Sequence, residues 1–359
     1  MKTKLIAFYL PQFHTTDYND KWWGEGFTEW TNTKKATPFF KGHYQPKEPL
    51  NDNYYCLMDE KVQEWQADLA KQYGIDGFCY YHYWFKGKLL LEKPMENMLK
   101  NKKIDLPFCI SWANEPWTRS WTGKQKEVLM DQEYGSKLDW KEHIDYLMPF
   151  FKDSRYILVD NKPVMLLYRS ENITDCEEMI AYWDQILKEE GFNGIYIIET
   201  LTGHQKKGIL KNSEAQVEME PMFTIRHDLP LFTQGKRFII KKAKLWKLGI
   251  FDKINSDLIW KHILRRSHHQ DKKTFQGAFV DWDNSARWGK KAMILTNTNP
   301  DKFEHYFSEL YSKSLNANDD FIFFNAWNEW AEGTYLEPDK KYGFSYLERI
   351  NKVKNCQGN

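Results

Sequence analysis

The sequence lacks several signals that would assign it to a well-known class. Its 359 residues carry 51 Lys and Arg against 50 Asp and Glu, so no charge excess points to nucleic acid. Five scattered cysteines show no C-x-x-C spacing, which argues against a disulfide framework or a zinc site. No strand-like run is followed by a G-x-G-x-x-G or G-x-x-x-x-G-K-[ST] loop. We therefore expect no cofactor, no metal and no nucleic-acid partner.

Long hydrophobic runs are also missing. No stretch approaches the roughly 18 apolar residues that a membrane-spanning helix needs. The N-terminal run, residues 5–10, is too short for the core of a signal peptide and ends at Pro11. Together with the cysteine pattern, this predicts a cytoplasmic protein.

Aromatic residues, in contrast, are abundant. The chain has 16 tryptophans, and 16% of its residues are aromatic. These rings indicate either an aromatic-rich core or a cleft in which flat faces stack on sugars. Composition alone leaves both interpretations open.

Short apolar runs recur along the chain, and amphipathic helical patterns separate several of them. Runs of this length are typical of parallel strands that are buried on both faces. Eight such strands are predicted at residues 5–10, 77–83, 107–112, 164–168, 194–198, 215–219, 277–282 and 321–324. Helices are predicted at residues 59–73, 134–151, 177–190 and 300–314.

Eight strands that alternate with helices favour an α/β fold, a single (β/α)8 TIM barrel over residues 1–359. An open doubly wound sheet is the alternative, weakened by the missing phosphate loops. A basic helical insertion is predicted between strands 6 and 7, at residues 223–273, with 13 Lys and Arg against 4 Asp and Glu. It indicates either a solvated helical segment or a docking surface for an anionic glycan, a lipid-linked sugar phosphate or a membrane surface.

The ends of the predicted strands carry chemistry. In a (β/α)8 barrel, catalytic side chains lie at the C-terminal ends of strands and in the loops that follow. Carboxylates, tryptophans and amides at these positions are the inventory of a glycosidic-bond site, which needs two carboxyl groups and aromatic walls. The predicted substrate-binding residues are Tyr9, Glu25, Trp30, His82, Trp112, Asn114, Glu115, Glu199, Asp283, Arg287 and Trp327.

The stretch after the last strand, NAWNEWAEGTYLEPD, concentrates these residue types. Glu329 and Glu332 are three residues apart on a predicted loop, so both carboxylates can point into one pocket. We predict that they are the catalytic pair. Glu337 is expected to support the loop, and Trp327 and Trp330 either cap the core or form a sugar platform.

Four ordered motifs carry a resemblance: IAFYLPQFH with WWGEGFTEWTN, then WANEPW, VDWDNSAR and FNAWNEWAEGTYLEPD. Together they resemble the bacterial WbsX-type family, which is associated with polysaccharide and O-antigen biosynthesis and often labelled glycosyltransferase. The last motif is also similar to that of glycoside hydrolase family 99, the endo-α-mannosidases and endo-mannanases, whose fold is a (β/α)8 barrel.

The resemblance to family 99 implies retention and a role for each glutamate. Glu329 would deprotonate the sugar 2-hydroxyl, which attacks the anomeric carbon to give a 1,2-anhydro sugar, and Glu332 would act as general acid and then base. A carboxylate nucleophile is the other route. Ala331 departs from the histidine common in family 99, which puts the subsite details in doubt. A rival assignment places the acid/base at Glu115, because Asn114-Glu115 resembles the Asn-Glu pair of another group of barrel glycosidases.

These observations predict an enzyme that acts with retention on a glycosidic bond of a bacterial polysaccharide or oligosaccharide, with an α-mannoside as one substrate type. The first alternative is a glycosyltransferase of polysaccharide biosynthesis. The second is a non-catalytic glycan-binding protein that keeps the aromatic cleft.

Overall fold

The computed structural model describes residues 3–119, 124–267 and 271–357. Eight parallel strands form its central sheet, and each predicted apolar run contributes one of them. They are β1 (Lys4–Tyr9), β2 (Gly77–Phe85), β3 (Phe108–Trp112), β4 (Lys162–Leu167), β5 (Tyr196–Leu201), β6 (Ala215–Glu218), β7 (Lys273–Phe279) and β8 (Phe321–Asn325).

The sheet closes on itself. Strand β1 pairs in parallel with β8 on one side, at Lys4 and Phe321, and with β2 on the other, at Ile6 and Gly77. The remaining strands pair in chain order, which completes a ring of eight. This confirms the (β/α)8 barrel and excludes the open sheet. The runs are almost continuously apolar because both faces of each strand are buried.

Helices surround the barrel or cover its ends. Their bounds are α1 (Asp17–Trp23), α2 (Glu29–Lys35), α3 (Glu60–Gln72), α4 (Lys93–Lys100), α5 (Lys137–Phe151), α6 (Cys176–Glu189), α7 (Met222–His227), α8 (Leu231–Lys242), α9 (Ser256–Arg265), α10 (Ser285–Trp288), α11 (Pro300–Asn316) and α12 (Ser345–Gln357). The four helices predicted from the sequence correspond to α3, α5, α6 and α11. In the described residues, no helix combines the length and the apolar character that crossing a bilayer requires.

Short strands decorate the barrel. Lys88–Leu90 extends β2 as a hairpin, Leu158–Val159 pairs with β4, and Trp117–Arg119 pairs with Lys124–Met130. Two further pairs lie near the C-terminal end of the barrel. Asp252–Asn255 runs parallel to Met293–Thr296, and Asn328–Glu329 runs antiparallel to Thr334–Tyr335.

The segment between β6 and β7 has the helical character that its sequence predicts. It contains α7, α8, a 3-10 turn at Leu245–Leu248, the strand Asp252–Asn255 and α9. Phe251 packs against Phe39 and Phe40 in the loop region after β1, with ring centroids 5.6 and 5.8 Å away. This contact places the segment on the rim at the C-terminal end of the barrel. Residues 268–270 of the predicted insertion lie outside the described residues.

Candidate active site

Three glutamates meet one arginine at the C-terminal end of the barrel. The Arg287 guanidinium donates to Glu29 at 2.6 Å through Nη2 and to Glu329 at 2.9 Å through the same nitrogen. Its Nη1 donates to Glu332. The carboxylates come from two parts of the chain, the start of α2 and the loop after β8, and the arginine comes from a third part, α10. We call this group the Arg287 cluster (Arg287, Glu29, Glu329 and Glu332).

The loop after β8 is held in place by the segment that follows the neighbouring strand β1. The Asn328 side chain accepts from the Leu10 amide at 2.7 Å and donates to the Leu10 carbonyl at 3.0 Å. Gly333 closes the loop with a φ of +65°, in the region that favours glycine. A Cβ at this position would lie 2.9 Å from the backbone nitrogen and oxygen of Asp283. The loop therefore takes its shape from its neighbours, which is why its sequence follows neither structural period.

Glu337 anchors the far side of the same loop. It is 3% exposed and accepts from Gln66 at 2.7 Å, Tyr55 at 2.9 Å and the Trp330 indole at 2.6 Å. Burial raises its pKa to about 7, while these donors lower it. The structure thus places Glu337 as a support beneath the loop and outside the Arg287 cluster.

Arg287 is positioned from a second direction by Asp283, four residues earlier. Asp283 accepts from the side chain of Gln45 and contacts His43, both at 2.8 Å. Its backbone amide donates to the carbonyl of Glu332 at 2.7 Å. The segment that carries Arg287 is therefore held between the region after β1 and the loop after β8.

Charge is crowded in the Arg287 cluster, because three carboxylates share one cation. Burial raises the pKa of Glu329 to about 8; Arg287 opposes the shift, and Glu332 and Glu29 add to it. Burial likewise raises the pKa of Glu29, which has no exposed surface. A buried group of net negative charge favours retaining a proton, which is the direction of the shift at Glu329. Its titration falls in the range where a general base or acid is most useful.

Four of the predicted binding residues are aromatic side chains inside the barrel or its cap. Tyr9 and Trp327 are 0% exposed, Trp112 is 2% exposed and Trp30 is 5% exposed. The polar atoms of Tyr9, Trp30 and Trp112 donate to other buried groups of the protein. These rings are packed inside the protein, so a direct contact between them and a sugar stays a prediction.

Three polar residues of the predicted set also have protein partners. His82 contacts His143 at 2.9 Å, and burial lowers its pKa to about 3. The fully buried Glu199 is held by Ser170, Ser213, Lys272 and the amide of Ile209. Asn114 exchanges two hydrogen bonds of 2.8 Å with the backbone of Arg169. Each of these contacts fixes the ends of barrel strands.

The remaining predicted residues are more accessible. Glu115 is half-buried and lies 3.4 Å from the guanidinium of Arg169. Burial raises its pKa, and Arg169 opposes this shift. Glu25 is exposed on the loop after α1. The structure thus brings Arg287, Glu329 and Glu332 together, and places Glu115 in a separate ion pair.

Sequence reasoning did not select four residues that lie around Glu329 and Glu332. One is Glu29, and the others are Tyr81, Tyr83 and Tyr168. Burial is the main cause of the raised pKa of each tyrosine, and the negative charge of Glu329 adds to it. Tyr83 and Tyr168 are partly exposed and available to a ligand. The alternation of Tyr81 and Tyr83 near the end of β2 is the signal that points both side chains to the same face.

No group of three or more His, Cys, Asp or Glu side chains among the described residues has the geometry to hold a metal ion. The three carboxylates of the Arg287 cluster converge on a guanidinium.

Known proteins match this chain over nearly its whole length. The family described as glycosyltransferase WbsX matches residues 5–350. Two curated proteins of Xanthomonas campestris pv. campestris, strains B100 and ATCC 33913, both called uncharacterized protein WxcX, are 33% identical over 355 residues. The match covers 97% of this chain and 49% of theirs, so the chain spans about half the length of these curated relatives.

Solved structures share the fold. A glycoside hydrolase-like protein superposes with a TM-score of 0.61 at 12% identity, covering 98% of this chain and 94% of its own. The family 99 endo-α-mannosidase from Bacteroides thetaiotaomicron gives a TM-score of 0.55 at 14% identity, covering 98% and 96%. At such low identity these likenesses show the barrel fold alone. The family match and the 33% identity show more: the chain belongs to the family described as glycosyltransferase WbsX.

Proposed function

We propose that this protein acts with retention on a glycosidic bond and that Glu329 and Glu332 are its catalytic pair. The observation that carries the proposal is the Arg287 cluster, in which both carboxylates bind one guanidinium at the mouth of the barrel. Barrel enzymes place their catalytic groups at this end. Two adjacent carboxyl groups are what glycosidic-bond chemistry requires.

In the proposed reaction Glu329 is the base. It removes the proton of the sugar 2-hydroxyl, and the resulting oxygen attacks the anomeric carbon to form a 1,2-anhydro sugar while Glu332 donates a proton to the departing glycosidic oxygen. In the second step Glu332 removes a proton from the acceptor that opens the ring at the anomeric carbon, and Glu329 returns its proton to the 2-oxygen. A pKa of about 8 supports the base role, because a more basic carboxylate removes a proton from a weakly acidic hydroxyl more readily.

The acceptor decides the name of the activity. If water opens the anhydro sugar the protein is a hydrolase, and if a sugar hydroxyl does so it transfers a glycan. The family description favours transfer, and the endo-α-mannosidase fold neighbour favours α-mannosides as the first substrates to test. Calorimetric titration with nucleotide sugars separates a nucleotide-sugar-dependent transferase from an enzyme that uses a preformed glycoside.

Glutamine substitutions test the pair. We expect Glu329→Gln and Glu332→Gln each to abolish turnover of α-mannosyl oligosaccharides, because glutamine can neither gain nor lose the proton. Glycan binding should persist in both variants. The matched control is Glu189→Gln, an exposed glutamate in the last turn of α6 that should keep full activity. Unchanged turnover in both variants would overturn the assignment.

Glu115 is the rival acid/base. It lies against Arg169 and is outside the Arg287 cluster, although its charge also acts on Tyr168 together with those of Glu332 and Glu329. In our proposal Glu115 contacts a substrate hydroxyl. Glu115→Gln should therefore raise KM with a smaller effect on kcat. A loss of kcat equal to that of Glu332→Gln would favour the rival.

A non-catalytic glycan-binding protein is the remaining alternative. It predicts that the glutamine variants leave glycan binding unchanged and that the unaltered protein turns over no glycan. Proton NMR of a reaction mixture checks this directly, and the anomer that appears first also reports retention or inversion.

A further inference from the structure

One surface segment exposes an unusual number of large apolar side chains. Of the eleven such side chains in the described part of the chain, six lie between residues 231 and 250. They are Leu231, Phe232, Phe238, Ile239, Leu248 and Ile250. Leu231 is 89% exposed and Phe232 is 85% exposed. We call residues 231–250 the rim segment. A cluster of exposed large apolar side chains on a protein surface marks an interaction site.

The outward position of these side chains is set by the way α8 is anchored. Ile240 is 5% exposed, and Arg237 forms an ion pair of 2.9 Å with the buried Asp252. These two residues hold one face of the helix against the protein. Phe238 and Ile239 follow Leu231 and Phe232 by seven residues, two helical turns, so the four apolar side chains form a stripe on the opposite face.

Positive charge accompanies the apolar stripe. The rim segment has six Lys and Arg and no Asp or Glu. Arg237 and Lys241 pair with Asp252, whereas Lys236, Lys242, Lys244 and Lys247 have no ion-pair partner among the described residues. These last four lysines are therefore available to a negatively charged partner.

Lysine and phenylalanine are interleaved in three dimensions as well as in sequence. The Lys242 ammonium lies 5.8 Å from the centre of the Phe238 ring. A long lysine side chain beside an apolar surface keeps its charge at the water boundary while its methylene groups cover the surface. This combination suits a surface at which a hydrocarbon layer lies beneath a layer of negatively charged groups.

We propose that the rim segment docks on the surface of an anionic lipid bilayer. Apolar side chains on one face of a short helix enter the headgroup region, and neighbouring lysines bind the acidic headgroups. A soluble anionic glycan would engage the lysines but leave the phenylalanines in water. A second copy of this chain would bring the same uncompensated positive charge against itself.

Docking has a consequence for the orientation of the barrel. The rim segment begins after the C-terminal end of β6, and Phe251 at its end packs against Phe39 and Phe40. The Arg287 cluster lies at this same end of the barrel. The bilayer therefore meets the end at which the active site opens. The proposal does not depend on the catalytic roles of Glu329 and Glu332.

Vesicle flotation with the full chain tests the proposal. We expect binding to phosphatidylcholine vesicles that contain about 30% phosphatidylglycerol, little binding to phosphatidylcholine alone, and weaker binding as salt is added. Phe232→Ser/Phe238→Ser and Lys236→Gln/Lys242→Gln should each weaken binding by about tenfold or more. All four positions are exposed, so these variants should fold normally, and thermal unfolding checks this.

Matched controls lie elsewhere on the surface. Leu138→Ser removes a side chain that is 85% exposed on α5, and Lys61→Gln/Lys100→Gln removes two exposed lysines. Neither control should change vesicle binding. The proposal fails if anionic and neutral vesicles bind equally or not at all, or if rim and control variants behave alike. It also fails if sedimentation shows a dimer that Phe232→Ser/Phe238→Ser dissociates, because a second copy would then cover the segment.

Discussion

At the scale of single residues, Arg287 is the side chain on which the candidate site depends. It is the common partner of Glu29, Glu329 and Glu332, and its own side chain is 10% exposed. A buried ion cluster is costly to form and more costly to break, because a lone charge remains in a poorly solvated place. The arginine therefore sets both the geometry of the glutamates and their proton affinity.

Replacing Arg287 should destabilise the protein far more than replacing an arginine that forms ion pairs on the surface. We expect Arg287→Met to lower the free energy of unfolding by about 3–5 kcal/mol and to abolish activity. The control Arg349→Met breaks ion pairs with Asp301 and Glu304 on the outer helices and should cost about 1 kcal/mol or less. Urea denaturation measures both. Equal effects of the two substitutions would contradict the central place of Arg287.

The pKa of Glu329 makes a prediction about the pH dependence of activity. A base works only when ionised, and burial raises this pKa to about 8. We expect kcat/KM to rise with pH up to about 8 if Glu329 is the base of the free enzyme. A profile that falls through the same range would assign the acid role to Glu329 and exchange the two glutamates.

At the scale of elements, the loop after β8 owes its shape to a close approach. Gly333 combines a φ of +65° with a position against the backbone of Asp283, and this contact keeps Glu332 and Arg287 side by side. The sequence motif E-W-A-E-G contains this glycine, but only the structure shows that a side chain at Gly333 would clash with the backbone of Asp283.

Alanine at this glycine should damage both stability and activity. We expect Gly333→Ala to cost about 2–3 kcal/mol, the sum of left-handed backbone strain and a steric clash. Gly343→Ala is a matched control, because it has a φ of +56° and no heavy atom within 4 Å of the added Cβ. It should cost about 1 kcal/mol and leave turnover unchanged. Thermal unfolding and kinetics of both variants check this, and equal losses would contradict the steric argument.

Helix α3 shows where sequence patterns mislead at this scale. Its bounds agree closely with the prediction. The apolar residues at helical spacing in its sequence are Val62, Trp65, Leu69 and Tyr73, but of these only Leu69 is fully buried. Two glutamines, Gln63 and Gln66, are buried instead, and Gln66 bonds both Tyr9 and Glu337. Periodicity finds apolar side chains and cannot see a polar one that has buried partners.

At the scale of the whole molecule, several buried carboxyl groups hold protons near neutral pH. Burial raises the pKa of Glu220 and of Glu337 to about 7, and that of Glu329 to about 8. In the unfolded chain these groups lose their protons near pH 4.3. The folded state therefore binds more protons than the unfolded state between these limits.

This difference predicts the sign of the pH dependence of stability. The contribution of the three groups is fully present below about pH 4 and is lost as pH rises through about 7–8, by on the order of a few kcal/mol. Burial lowers the pKa of His82 and His143, and such groups favour the folded state with the opposite sign as pH rises. The difference between the protein and its Glu337→Gln variant isolates the carboxyl group: we expect the melting temperature of the protein to fall relative to that of the variant between about pH 5 and pH 8. Calorimetry of both across this range measures the difference, and parallel pH profiles would contradict the raised pKa of Glu337.

Much of the fold was predictable from the chain alone. All eight barrel strands lie at the predicted apolar runs, because burial on both faces leaves a continuous signal in the sequence. The site was predictable in part. Strand ends and the final motif indicate where Glu329, Glu332 and Arg287 belong, since a barrel brings strand ends together. The abundance of aromatic residues was ambiguous, and Trp112 and Trp327 prove to be fully buried.

By itself, the sequence determined the barrel and the end at which chemistry is expected, because both follow from local patterns that a closed parallel sheet imposes. Tertiary structure alone decided which charges meet. Glu29 and Arg287 are 258 residues apart in the chain and 2.6 Å apart in space. No local pattern encodes such a contact, since it arises only when the ring closes and joins the regions after β1 and β7. The proton affinity of Glu329 is decided at the same step, because burial and neighbouring charges exist only in the folded protein.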